Sequence, residues 1–203
     1  MKRVRTVPLV AAGLAALALT ACGTQAGEGT GTADAAAPAS PAVTTPAEPT
    51  TADGHTSPGM RLKFGERALL PVGEGETAGT IAITVTGIEP GTPADLKNYQ
   101  PDQVAGVTPY FIKYTVEHVK GGDLGGTGVA LRGLYAGGER PGVALLGGTD
   151  NCQKTAAPRS GKFAKPGDKF DACQVYGGKD GGAITMAEFN LADAYRKNPV
   201  LWG

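Results

Sequence analysis

The sequence has few of the residues on which catalysis and metal binding most often depend. Its 203 residues include three cysteines, two histidines and one tryptophan, and aromatic residues make up only 6%. Basic and acidic residues are equal in number, 19 of each. We therefore expect no nucleic-acid partner, because no excess of basic residues is present to neutralise phosphates. We also expect no metal site and no cofactor, since too few histidines and cysteines are present for a typical zinc centre.

Long apolar runs are also absent, but residues 7–19 form a short one. This stretch contains Pro8 and covers about 13 residues, whereas a membrane-spanning helix needs about 20. Basic residues precede it, and small residues follow it, as in a secretory signal. The run Leu19-Thr20-Ala21-Cys22 resembles the lipobox of bacterial lipoproteins, which implies that Cys22 is lipidated and becomes the mature N-terminus. The alternatives are a transmembrane anchor or a signal that is removed without lipidation.

Three regions follow from these patterns. Residues 1–21 are predicted to be a lipoprotein signal peptide, which places the protein outside the cytoplasm, held to the cell membrane by its lipid. Residues 22–59 are rich in Gly, Ala, Thr and Pro, and such a segment buries too little apolar surface to fold. We expect a disordered linker that spans about 35 Å as a flexible coil. Residues 60–203 have the size of one domain.

Cys152 and Cys173 remain once Cys22 is assigned to the lipid. A pair of cysteines in an exported chain favours a disulfide. The alternative is a redox or metal pair, which is disfavoured because the spacing is not Cys-x-x-Cys and no histidine is near. Closing this loop of about 22 residues is expected to stabilise the fold by roughly 3 kcal/mol.

Alternation of apolar and polar residues predicts an all-β domain. In Pro109–His118, one face carries Tyr110, Ile112, Tyr114 and Val116, and polar residues mainly occupy the other. About seven strands are predicted: 62–70, 80–88, 109–118, 129–135, 143–146, 170–176 and 184–190. Glycine-rich turns separate them, and only two short helical turns, 94–98 and 191–195, are expected. This pattern favours an immunoglobulin-like β-sandwich, although the Cys–Trp–Cys core of true immunoglobulin domains is missing.

The order of these features resembles a family of small actinobacterial lipoproteins. The resemblance rests on the lipobox, the linker, the strand starts 79–85 and 110–116, and the terminal run Pro199-Val200-Leu201-Trp202. It covers roughly residues 60–203. It implies a telokin-like, immunoglobulin-like sandwich, and it implies no activity, because that family has no established function.

No catalytic motif is present. His118 ends a strand on the same face as Val116, so we expect a partly buried, hydrogen-bonded residue at the rim and not a general base. The other histidine, His55, falls in the predicted linker. Four acids, Glu66, Glu74, Glu76 and Asp102, could serve a glycosidase only if the fold brought two of them within about 5–9 Å.

A binding surface is more compatible with the sequence than an active site. Tyr99, Tyr110, Tyr114 and Tyr135 could line a carbohydrate or peptide surface, although strand tyrosines usually pack against their neighbours. If a binding surface exists, the long loops 91–107 and 149–169 are the places to expect it.

The C-terminal run is expected to be structural. An exposed Val-Leu-Trp segment would be adhesive on an exported protein. We therefore predict that residues 199–202 dock on the sandwich and that Trp202 covers the core. The alternative is a loose tail that recruits a partner.

The sequence thus predicts a non-enzymatic binding or interaction module at the cell envelope, with an envelope protein, peptide or polymer as partner. Two other hypotheses stay open: a cell-surface hydrolase with a shallow site of carboxylates and tyrosines, and an envelope-structural protein without a soluble ligand.

Overall fold

The computed structural model describes residues 50–203 apart from 142, 144 and 154–157. The described part contains eight strands and one short helix. The strands are β1 (Arg61–Leu62), β2 (Arg67–Val72), β3 (Gly79–Pro90), β4 (Val107–Gly121), β5 (Arg132–Tyr135), β6 (Lys169–Lys179), β7 (Ile184–Phe189) and β8 (Val200–Trp202). The helix α1 is Asp193–Lys197, and two 3₁₀ turns cover Gly75–Thr77 and Pro93–Leu96. The two predicted helical turns are therefore close to observed ones.

The strands form two four-stranded sheets. The first has the order β1-β8-β7-β5 and the second the order β2-β3-β4-β6. Strands β1 and β8 run parallel, and every other neighbouring pair is antiparallel. These two sheets confirm the prediction of an all-β sandwich.

The core consists of inward-facing residues from both sheets, as expected when one face of each sheet is buried. Burial alternates along β2, and β4 has the same alternation over most of its length. The fully buried residues of this core with the largest side chains are Trp202, Tyr195, Phe163, Phe189, Leu70, Ile81, Ile83, Ile112, Leu124 and Leu131.

The predicted strand 62–70 is wrong in one respect, because it is two strands in different sheets. The backbone turns between them: Gly65 has a φ of 89°, and Glu66 N donates to the Lys63 carbonyl at 3.1 Å. Gly65 N also donates to the carbonyl of Val85 in β3 (2.8 Å). The chain thus passes from the first sheet to the second here, and inward-facing apolar residues on both sides gave the run the appearance of one strand.

Two further predicted strands are shorter than expected. In 143–146, the described residues contain only a single bridge, between Val143 and Gly177. In 129–135, regular pairing begins at Arg132. The preceding residues are held by side chains of the second sheet instead, since Tyr114 Oη donates to the Val129 carbonyl (3.4 Å) and Gln174 Oε1 accepts from Leu131 N (3.1 Å).

The C-terminal run forms strand β8 in the interior of the first sheet, between β1 and β7. Trp202 has no exposed surface, and its Nε1 donates to the Glu66 carbonyl at 3.1 Å. In the pairing of β8 with its neighbours, Trp202 lies opposite Leu62 of β1 and Ala187 of β7. The prediction that this run docks on the sandwich and buries Trp202 is confirmed.

Part of the segment 50–59, which the sequence assigns to the linker, packs against the second sheet and α1. Thr56 is buried, its N donates to the Leu69 carbonyl (2.8 Å), and its own carbonyl accepts from Tyr195 Oη (2.8 Å). His55 Nε2 lies 3.0 Å from Thr80 Oγ1. These contacts cover part of the open edge of β2, where Pro71 has no N–H to offer, so they limit pairing with another chain.

The second sheet has two distinct ends. Val72, Gly79 and Gly121 align at one end, which we call the proximal end because the segment 50–56 joins β2 and β3 there. The other, distal end holds the loop 91–106 between β3 and β4. Strand β4 has 15 residues, so it extends about 45 Å between the two ends.

Candidate functional site

The four acids considered for hydrolysis come from three separate stretches of the chain. Glu66 lies before β2, Glu74 and Glu76 belong to the β2–β3 turn, and Asp102 lies in the loop after β3. All four are exposed. Among the described residues, no group of three or more His, Cys, Asp or Glu side chains could hold a metal ion.

His118 lies deeper than predicted. It has no exposed surface, and its Nε2 is 2.8 Å from the Gly122 carbonyl. Because a carbonyl only accepts, this contact places the proton on Nε2. The ring packs edge-on against Phe163, with 5.4 Å between centroids, and Nδ1 has no hydrogen-bond partner in the described structure. The prediction that His118 lies partly buried at the rim is therefore wrong, because Phe163 covers its ring. The predicted hydrogen bond of His118 is present.

The four candidate tyrosines lie in different environments. Tyr114 is buried in the core, and this burial raises its pKa to about 12. Tyr135 Oη accepts a hydrogen bond from Lys179 N (3.1 Å), which fixes the turn after β6. Tyr110 is half-buried in β4, and Tyr99 lies in the loop 91–106 with its hydroxyl buried. Tyr114 and Tyr135 therefore have structural contacts, which the notion of a shared tyrosine surface did not anticipate.

The cysteines pair as predicted. The structure joins Cys152 and Cys173 in a disulfide with 5.4 Å between the Cα atoms. This bond attaches the segment 145–153 to β6 on the outer face of the second sheet. Beneath it, Phe111 and Val175 form a small apolar cluster with Cys152, and Leu145 packs against them. The disulfide thus secures a loop that covers part of the sheet.

Parts of the two loops singled out by the sequence contact each other. Lys97 Nζ lies 2.5 Å from Asp150 Oδ2, and Asn151 Nδ2 donates to Asp95 Oδ1 at 2.5 Å. Hydrogen bonds from Thr92 lower the pKa of Asp95, so this carboxylate stays charged near neutral pH. We call residues 93–99 together with 145–153 the loop platform.

The loop platform exposes one large apolar side chain. Leu146 is 86% exposed, which is the highest value among the large hydrophobic residues that the structure describes. Next to the platform is an open depression of about 510 Å³. Its lining includes the polar side chains of Lys113, Thr115, Gln153 and Asp171 beside apolar surface. Protein interfaces combine apolar side chains with polar groups, and the platform and the depression together offer both.

A second groove, of about 550 Å³, lies between the β2–β3 turn, the glycine-rich segment 125–128 and the residues around α1. Its charged residues are Glu74, Asp193 and Arg196. Arg196 already contacts Asp193 at 3.0 Å. The groove therefore offers a ligand little free charge, and it has no secured exposed loop of the kind found in the platform.

No protein-family model, curated protein or solved structure matches this chain. The predicted signal peptide and Cys22 lie outside the described residues. Within the described ranges, no helix is long and apolar enough to cross a membrane.

Proposed function

We propose that this protein is a non-enzymatic binding module, held to the outer side of the cell membrane by a lipid on Cys22, whose loop platform binds an envelope protein or peptide. The observation that carries the proposal is the platform itself. It joins two distant loops through Lys97–Asp150 and Asp95–Asn151, and a disulfide secures it to the sheet.

Fixing these loops in advance favours binding. A mobile loop loses conformational freedom when a partner orders it, and each immobilised side chain then costs about 0.5–1.5 kcal/mol of affinity. In the platform, the disulfide and the buried contacts of Leu145 have already restricted the backbone. Leu146 can therefore serve as an anchor without a large ordering cost of the backbone, and the polar residues of the platform and of the depression offer further contacts.

The position of the platform agrees with this role. Residues 93–99 lie in the distal connection between β3 and β4, while the segment 50–56 joins the sheet at the proximal end. A tether on the N-terminal side would leave the platform directed away from its point of attachment. A protein or peptide partner is favoured over a polymer because the exposed anchor is an aliphatic side chain.

The binding part of the proposal is tested with Leu146→Asp in the full chain. The protein is immobilised, envelope proteins are captured, and the dissociation constant of a captured candidate is then measured with purified components. Loss of a central anchor should weaken binding at least tenfold. The matched control is Leu191→Asp, because Leu191 is also an exposed leucine but lies by the other groove. Equal affinities for the parent and both variants, or equal losses in the two variants, would contradict the proposed surface.

The anchor is tested separately by metabolic labelling with a fatty-acid analogue. The parent chain should incorporate the label and remain with the membrane. Cys22→Ala should abolish incorporation and leave precursor or shed protein. Labelling that persists in the variant would show that Cys22 is not the lipidated residue.

A further inference from the structure

The connection before β6 carries a cluster of exposed basic residues. Arg159, Lys162 and Lys165 are exposed, and none of them forms an ion pair within the described ranges. Lys169, at the start of β6, differs because it contacts Glu117 at 3.3 Å. We call residues 158–168 the basic loop.

The basic loop is firmly attached to the sandwich. Phe163 is buried, and it packs against His118 and Phe170 with centroid distances of 5.4 and 5.1 Å. The Phe163 carbonyl accepts from Leu124 N (2.9 Å), and Gly167 N donates to the His118 carbonyl (2.8 Å). The three free basic side chains thus extend from a fixed backbone.

Two acids in and beside the basic loop, Asp123 and Asp168, hold its backbone. Asp123 accepts hydrogen bonds from Ser160 Oγ and Gly161 N, and these bonds lower its pKa. Asp168 Oδ2 accepts from Ala164 N and Lys165 N, both at 2.9 Å. Their carboxylates offset part of the positive charge, but they point at loop amides and a hydroxyl and do not pair with the basic side chains.

Gly125 allows the basic loop to approach the segment after β4. A Cβ atom at this position would lie 2.5 Å from Ser160 Cα and 2.5 Å from Ser160 N, which is far inside van der Waals contact. Glycine is therefore the residue that lets these two backbones touch. The positions of the basic side chains depend on this contact.

The basic loop lies at the proximal end, where the N-terminal segment joins the sheet. Gly167 N donates to the carbonyl of His118, near the end of β4. Two residues further along β4, Lys120 lies opposite Thr80 of β3. Thr80 is the residue that His55 contacts. Lys120 is exposed and free of ion pairs among the described residues, so it adds a fourth positive charge to this end.

The other acids at this end are Glu117, Glu74 and Glu76. Glu117 already contacts Arg67 at 3.4 Å and Lys169 at 3.3 Å. Glu74 and Glu76 belong to the turn between β2 and β3, and Glu74 lines the same groove as Gly125. Within the described residues, neither Glu74 nor Glu76 forms an ion pair with the basic loop or with Lys120.

We propose that the basic loop, together with Lys120, docks the proximal end of the domain on an anionic phospholipid surface. This inference rests on the proposed lipid anchor, because a tether that enters at the proximal end brings this end close to the membrane. Basic residues close to an anionic leaflet are attracted to it. The docked domain would hold the distal loop platform away from the membrane.

The test measures vesicle binding of the mature chain, residues 22–203, with Cys22→Ala, so that neither an acyl chain nor the signal peptide contributes. Vesicles contain phosphatidylglycerol and phosphatidylcholine, or phosphatidylcholine alone, and bound protein is quantified by sedimentation. The comparison variant adds Arg159→Glu, Lys162→Glu and Lys165→Glu. Each basic residue near an anionic surface strengthens binding about fivefold, so reversing three should weaken binding to the anionic vesicles by at least roughly a hundredfold. Binding should also fall at high salt.

The matched control reverses three exposed basic residues elsewhere, Arg61, Lys63 and Lys179, in the same background. It should bind anionic vesicles much more tightly than the basic-loop variant does. Equal losses in both variants would show a general charge effect and overturn the inference, as would equal binding to the two kinds of vesicle. Direct binding to soluble inorganic polyphosphate without binding to anionic vesicles would assign the loop to a free phosphate polymer instead. Because the chain is not acylated, failure here leaves the labelling test of Cys22 unaffected.

Discussion

Replacing Trp202 with alanine tests how strongly the C-terminal strand supports the fold. The indole has no exposed surface and lies in β8, which has neighbours on both sides within its sheet. The substitution removes a large apolar side chain from a site where β1 and β7 restrict collapse of the backbone. It also removes the hydrogen bond from Nε1 to the Glu66 carbonyl.

The expected loss is large relative to the stability of a domain. Substitution of a buried Trp by Ala usually costs about 3–5 kcal/mol. Glu66 is exposed, so water can satisfy its freed carbonyl, and the lost hydrogen bond adds only about 1 kcal/mol or less. For a domain of this size, a loss of about 4 kcal/mol lowers the melting temperature by roughly 8–16 °C. Since whole domains are stable by only about 5–15 kcal/mol, deletion of residues 199–203 should prevent folding or nearly so.

The assay is thermal unfolding of the full chain, followed by circular dichroism because the variant lacks the sole tryptophan. Leu146→Ala is the control, since Leu146 is 86% exposed and its truncation should leave the melting temperature almost unchanged. In the parent, the indole emission should be that of a buried ring and resist quenching by acrylamide. A Trp202→Ala variant that melts within about 2 °C of the parent, together with emission typical of a solvated indole, would refute this reasoning.

Three further predictions concern other parts of the sandwich. Alkylation of the folded, non-reduced protein should leave Cys152 and Cys173 unmodified, and replacing both with serine should lower the free energy of unfolding by about 3 kcal/mol; ready labelling of either cysteine would contradict the disulfide. Burial raises the pKa of Tyr114 to about 12, above its unfolded value near 10. The contribution of the neutral phenol to the free energy of unfolding is therefore complete below pH 10 and is lost as the pH rises toward 12. Urea titrations between pH 10 and 12 should therefore show that the free energy of unfolding declines less for Tyr114→Phe than for the parent. Parallel declines in the two proteins would argue against burial of the phenol. Gly125→Ala should destabilise the domain by about 1–3 kcal/mol because its Cβ meets backbone atoms that cannot move aside, whereas Gly128→Ala, which has open space, should change the melting temperature little.

Periodic sequence predicted the regular strands well. The alternation in 109–118 lies within β4, and the predicted segments 80–88 and 170–176 lie within β3 and β6. These strands have one face toward the core, so a period of two is imposed on their sequence. Where the chain changes sheet, as at Gly65, inward-facing residues on either side still alternate, and the sequence alone does not reveal the break.

The environment of His118 could not be predicted in the same way. Its burial depends on Phe163, which lies 45 positions later in an irregular loop without a repeating pattern. The short strand β8 was difficult for a different reason. It has three residues, too few to display a period, although the adhesive character of the run around Trp202 was sufficient to predict that it is buried.

The meeting of the platform loops was beyond sequence reasoning because it depends on topology. Strands β4 and β6 are neighbours in the second sheet, but β5 belongs to the first. The connection from β5 to β6 must therefore return from one sheet to the other. On this path, residues 145–153 cover the outer face of the second sheet and contact the distal loop, as in the pair Asp95–Asn151. Residues 158–168 of the same connection pack at the proximal end.

The long connection between β5 and β6 thus supplies one surface near each end of the second sheet. Its first part, secured by Cys152, contributes to the loop platform, and its second part, secured by Phe163, forms the basic loop. The two attachments are independent, because the disulfide bonds to the outer face of β6 while Phe163 packs with His118 and Phe170. Loss of the disulfide should therefore release the platform and leave the basic loop in place. In the double serine variant of Cys152 and Cys173, binding of a platform partner should weaken while binding to anionic vesicles persists. Parallel loss of both would show that the two surfaces form one unit and would contradict this division of the connection.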